Sequence, residues 1–493
     1  MKTISTFRLF VLLLFFSNHS IELFSQDYSK GIFEHARILS DQEARANFQY
    51  DSQNQSYEFK GNQQLVYQSV EGNFLATANF ELINGEDESQ ELGWYLTSDI
   101  PNTHYEIKAT KDENGLTTLK ISTNKEVIQL KPTKRNYEIL QLERIGNQLI
   151  FRGAHRFAPL EEIGAHHFQG LPEKMSLGIY YQGGNEKNKG ISWNIRVDKP
   201  RNDASSPYYD HQWMGCRMEV MDVFTGRRKV IYTKESTFEA PNWMPNEDKL
   251  LFNMDGRLWK IPSSGGEVTA LNTGLANRLN NDHCISFDGK ILGISHSNPG
   301  ESSKVYYLPI EGGEPTLLTP QGPSYLHGWS PDGKEMVYIA KRPGSSAYDI
   351  FKKSIYGGEE INLTNNEEYS HADGSEYSPD GKYIYYNGSV KGGSMEIFRM
   401  KPDGTDKEQL TFDSNNNWFP HISPDGKWMV YISFDKNIEM NSHPSFKRVE
   451  LKLMATSGGA PKTIAYLYGG QGTINVNSWS PDGKHIAFVS NSE

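Results

Sequence analysis

Cysteine is nearly absent: Cys216 and Cys284 are the only two in 493 residues, so no disulfide framework can hold a chain of this size together. One falls on a strand expected at the outside of its repeat unit and the other on an inner strand, which argues against a bridge between them. No apolar run reaches the ~20 residues that a membrane-spanning helix needs. Lysine and arginine form no block and the net charge is −11, so the electrostatic footprint of a nucleic-acid binder is missing. Missing too are a glycine-rich phosphate loop, a Gly-x-Ser-x-Gly elbow and a His-Glu-x-x-His pair, which removes the usual nucleotide, serine-hydrolase and zincin readings.

Strand and turn formers fill the space. There are 26 Tyr, 24 Phe and 9 Trp beside 44 Gly and 23 Pro, a composition that predicts an all-β chain. The length exceeds one ordinary core, and the pattern divides into two modules. Ahead of them, Met1-Lys2-Thr3, Arg8 and the apolar run Leu9 to Phe16 lead to Phe24-Ser25-Gln26. This reads as a secretory signal peptide over residues 1–25 and places the mature protein, soluble, in the periplasm or outside the cell.

Internal repetition decides the second module. Ser-Pro-Asp-Gly-Lys occurs at Ser330, Ser378, Ser423 and Ser480, with degenerate copies at Ser286-Phe-Asp-Gly-Lys290 and Met244-Pro-Asn-Glu-Asp-Lys249. The lysines at 249, 290, 334, 382, 427 and 484 are 41, 44, 48, 45 and 57 residues apart, the spacing of propeller blades. Each Asp-Gly turn joins a short strand to an alternating one, and two further strands complete a four-stranded unit. The last unit has only two strands, while the pair 217–224 and 228–232 stands alone before the first. Pairing them closes a ring of six blades.

Motif, period and closure resemble TolB-type propellers over residues 213–493, and the resemblance implies a six-bladed β-propeller. TolB carries an α/β domain in front, whereas residues 27–200 show no amphipathic helix of useful length, so a role in the Tol envelope system is not implied. Residues 27–198 instead alternate with period 2, as in Asn73 to Phe80, Leu92 to Leu96 and Ser192 to Val197. Their order resembles secreted concanavalin-like jelly-roll domains, which implies a β-sandwich of a kind that often accompanies carbohydrate-active enzymes. Trp94, Tyr95 and Tyr181 could stack on a sugar there or fill the core. A polar, proline-flanked linker, 199–212, separates the modules.

The inner strands of a propeller converge on its channel, and here the residues before the turns are unusually polar. His283 and His327 each lie three residues before their turn serine, and His421 is one residue off that register. These three are the expected ligands of a divalent metal, or acid/base groups, with Asp282, Asp373 and Glu376 as carboxylate partners. Asn281, Asp282, Tyr325, Trp418 and Gln471 are the expected substrate contacts; His296 and His443, in blade connections, rank lower. In site type such a channel resembles that of the oligogalacturonate lyases, but their closely spaced histidine pair has no counterpart in Asn417 to His421, so none of their ligands carries over. Two functions compete: a glycan-binding or glycan-processing protein acting on an oligosaccharide or other small polar ligand, and a non-catalytic scaffold for an envelope protein.

Overall fold

The computed structural model describes residues 31–38, 47–61, 63–83, 89–98, 104–130, 132–183, 187–200, 214–365, 371–389 and 393–492. The expected signal peptide and all but the first residues of the expected linker lie outside them.

The repeats form six antiparallel blades around a channel. Blades 1 to 5 (239–270, 279–317, 324–362, 372–409 and 416–469) each have four strands in sequence order. Every Ser-Pro-Asp-Gly turn is locked in the same way: in blade 4 the Ser378 hydroxyl donates to Asp380 at 2.7 Å and accepts from the Tyr383 N–H at 3.0 Å. The Gly381 N–H bonds back to the Ser378 carbonyl with φ +69°, a backbone state open to glycine at little cost. Recurrence of this motif therefore reports recurrence of one hairpin geometry.

Blade 6 is assembled from both ends of the ring. Gly215–Asp222 pairs antiparallel with His485–Ser492 over eight residues and with Arg228–Lys234 on its other edge, the closure expected from the two orphan strands. Both cysteines are free and buried.

The first module consists of two antiparallel sheets of eight and seven strands. They enclose a single core built from both sheets, including Phe74, Phe80, Leu142, Phe151 and Trp94, whose indole N–H reaches across to the Leu140 carbonyl at 2.9 Å. Trp94 and Tyr181 belong to that core, and Tyr95 stacks on Tyr180 at 5.7 Å. All three are buried, which answers their double reading in favour of packing.

The modules meet through polar groups. Asn194, at positive φ on an irregular strand, donates to the Gly226 carbonyl at 2.7 Å and accepts from the Arg228 N–H at 2.9 Å. Gln55 makes the same two-way contact with Val230, and Arg448 of blade 5 donates to Glu143 at 2.6 Å. At the centre, Arg196 of the first module and Arg228 of blade 6 flank the fully buried Glu219, which also accepts from Ser490 of the closing strand at 2.7 Å. Burial alone would raise the Glu219 pKa, but the two guanidinium groups hold it down at about 2. One carboxylate thus ties the first module to the strands that close the ring.

Removing it would strand two buried cations. Glu219→Ala should destabilise the protein by about 3–5 kcal/mol, whereas Ser490→Ala should cost about 1 kcal/mol. Denaturant unfolding measures both, and equal effects would contradict the ion-pair account.

Candidate functional site

Each inner strand of blades 1 to 5 carries a bulge just ahead of its turn. The ladder slips at 239/242, 279/283, 326/328, 373/376 and 418/421. A bulge breaks alternation and re-aims a side chain, and here it recurs on the wall of the channel. Ala240, Gly374 and Phe419 hold positive φ at these points. At Gly374 a β-carbon would meet the Asn387 amide oxygen at 2.5 Å and Phe419 at 3.0 Å, so glycine is required.

The bulges explain why two histidines in one register end in different places. His327 is the residue left out of the ladder between Leu326 and Gly328, and its ring enters the channel. His283 is paired, opposite Ile294. Its ring is buried, and desolvation lowers its pKa to about 4 against the opposite pull of the Leu251 and Asn281 backbone. It lines neither end of the channel, so the expectation of His283 as a ligand is corrected by its place in the sheet. His421 is displaced from the role expected of it in another way. Its Nδ1 meets Glu376 at 2.8 Å and its Nε2 meets the Ile474 carbonyl at 2.7 Å, leaving no nitrogen for a metal.

Glu376 is likewise committed. It accepts from the Ile422 N–H at 2.9 Å and from Asn477 at 2.7 Å, joining blades 4, 5 and 6. Trp329 to the Cys284 carbonyl and Trp479 to the His421 carbonyl, each 3.0 Å, make similar joints. These residues hold blades together. The expected metal set of His283, His327 and His421 therefore does not converge, and among the described residues no group of three or more His, Cys, Asp or Glu is arranged to hold a metal ion.

Other groups do converge. A cavity of 520 Å³ at one end of the channel is lined by Asp282, Tyr325, His327, Asp373 and Gln471 from the expected set, joined by His371, His443, Tyr348, Phe419, Glu439 and Asn475. Asn281 and Trp418 stand behind this lining: Asn281 bonds toward Glu239, and Trp418 packs on His371 and His443. Asp373 is the hub. Its Oδ1 takes His327 Nε2 at 2.8 Å, and its Oδ2 takes His371 Nε2 at 3.2 Å with His443 Nε2 at 3.8 Å. Burial opposes both charges of the His327–Asp373 pair, but mutual attraction outweighs it, so His327 is shifted up and Asp373 well down.

Asp282 behaves differently. Burial and the neighbouring Asp373 charge push its pKa up to about 6, against the pull of His327. Behind it, burial and Asp282 raise Glu239 to about 7. His443 is pushed down to about 4, mainly by burial. Carboxyl groups brought together from blades 1, 2 and 4 thus hold protons of very different affinity.

Of the cavity's histidines, sequence reasoning left out His371 and ranked His443 low. His371 precedes Asp373 by two positions, immediately ahead of the strand Ala372–Tyr377, and its ring meets that carboxylate at 3.2 Å. His443, with Glu439, Asn441 and Ser442, comes from the connection 435–446 of blade 5, which covers the cavity. The signal for it was the 57-residue step, the longest between successive turn lysines.

No known family profile matches the chain. It is 40% identical over 277 residues to an uncharacterized protein of Agrobacterium fabrum, covering 56% of this chain and 92% of that one. A solved Agrobacterium tumefaciens structure, provisionally named TolB, is 40% identical with TM-score 0.54 and covers 57% of this chain and 99% of its own. The chain is also 29% identical over 147 residues to an uncharacterized peptidase, YuxL, of Bacillus subtilis, spanning 29% of this chain and 20% of that relative.

Glu239 gives the site a pH signature. As pH rises from about 4.5 toward 7, the unfolded chain releases this proton while the folded chain keeps it, so its contribution to stability is lost through that window. Glu239→Gln should flatten the decline of the melting temperature over pH 5–7 and stabilise the protein at pH 8 by roughly 1–3 kcal/mol. Calorimetry across that range checks it; parallel curves for the two proteins would refute the assignment.

Proposed function

Because the chain belongs to the TolB-like propeller family, we propose that it works as that fold allows, by taking a small hydroxyl-rich ligand, a glycan or glycan fragment, into one mouth of its channel. The observation that carries this reading is the buried His327–Asp373 pair in the wall of a 520 Å³ cavity, flanked by Tyr325, Tyr348 and Phe419. Aromatic faces beside a few convergent polar groups are the usual make-up of a small-molecule site. His327, held against Asp373, and Asp282, with a pKa of about 6, are the groups placed to move a proton at a bound ligand. The two-sheet module is read as a concanavalin-like jelly roll that accompanies this site, and the whole as a secreted or periplasmic protein; among the described residues no helix is long and apolar enough to cross a membrane.

A second reading, the scaffold, draws on the family and on the opposite end of the channel. There a 240 Å³ cavity is lined by Trp243, Trp329, Trp479, Pro245, Pro379, Pro424 and Pro481, a surface suited to an apolar side chain of a protein partner.

Titration calorimetry against a panel of neutral and charged oligosaccharides separates the two. Tyr348→Ala should weaken the ligand that binds by at least about tenfold, as loss of a stacking wall does, and chelator should leave binding unchanged. If no saccharide binds while an envelope protein is captured through the Trp329 end, the scaffold reading replaces this one.

A further inference from the structure

The charge balance of the cavity says more about its ligand than its shape does. Its fifteen lining residues include Asp282, Asp373 and Glu439 but neither lysine nor arginine. The His327 ring is committed to Asp373 at 2.8 Å. Asp282 and Glu439 have no ion pair among the described residues, and Asp282 is contacted instead by the amides of Asn280 and Asn475.

Asn475 adds an independent observation. It is 2% exposed and lines the cavity, its amide N–H₂ donates to Asp282 at 2.7 Å, and its carbonyl oxygen has no hydrogen-bond partner. The carboxylate fixes which way the amide faces, so the orphan is an acceptor. A buried acceptor without a donor is destabilising, and a ligand that donates there removes that cost.

On the reading that this cavity takes a hydroxyl-rich ligand, we propose that the ligand carries a cationic amine, as an amino sugar with a free amino group does, and that the ammonium is received by Asp282, the Asn475 carbonyl and Glu439. An ammonium offers three donors to a site with surplus acceptors. Its charge is welcomed by the faces of Tyr325, Tyr348 and Phe419, whose quadrupoles attract cations. A uronate would bring a carboxylate to a wall already carrying carboxylates and neither lysine nor arginine, which separates this site from that of the oligogalacturonate lyases.

Calorimetry on the full chain with four disaccharides tests the assignment: de-N-acetylated chitobiose, chitobiose, cellobiose and digalacturonate. The free amine should bind at least about tenfold more tightly than the acetylated and neutral sugars, and digalacturonate should not bind. Glu439→Gln, at the exposed rim, should weaken the amine several-fold more than it weakens cellobiose. Equal binding of cellobiose and the amine, or preference for digalacturonate, overturns the amine while keeping a saccharide site. Calcium binding without amine binding also overturns it, and silence from all four sugars overturns the saccharide reading as well.

Discussion

A ring of blades has no free edge only while its first and last strands stay paired, and the rest of the molecule depends on that seam. Eight residue pairs between Gly215–Asp222 and His485–Ser492 make it. Glu219 sits in the middle of the seam with Arg196, Arg228 and Ser490 around it. A buried carboxylate with a single cation would barely offset its desolvation; two guanidinium groups and a hydroxyl satisfy it. Because Arg196 comes from the other module, docking of the first module and closure of the propeller share one buried carboxylate. The modules are therefore joined by more than a linker: the first contributes a side chain to the bond that shuts the ring.

Closure fixes the blades, and the inter-blade joints then fix the channel. Glu376, His421, Asn477, Trp329 and Trp479 link neighbouring blades on the side of the turns. That leaves the bulged residues beyond them free to face the cavity. His327 lines both ends and stands between the polar cavity and the apolar one, so one side chain separates two environments of opposite character.

The fold was legible because its signal is repeated. Each Ser-Pro-Asp-Gly-Lys reports a hairpin, and a run of such hairpins at blade spacing with a split last unit leaves few architectures open. The site was only half legible. Asp282, Tyr325, His327, Asp373 and Gln471 lie where convergence of inner strands puts them. His283 does not, because the slip in its strand takes two extra residues where that around His327 takes one. Bulge size is a property of three-dimensional packing, invisible to a count of residues from the turn. Glu376 and His421 carried the right chemistry for a site, but that chemistry is equally the chemistry of a buried joint, and sequence alone does not tell one from the other.

Electrostatics connects the joint to the site. Asp373 is stabilised as a carboxylate by imidazoles, so it burdens its neighbour Asp282, and Asp282 in turn burdens Glu239. The chain of acids runs from strongly ionised at the channel wall to neutral-range behind it. A cation entering the cavity would relieve that strain from the outside, by favouring the ionised form of Asp282 without disturbing the His327–Asp373 pair. An anion would aggravate it at every step. The same residues that burden one another across the channel are therefore those that would make a positively charged ligand bind selectively.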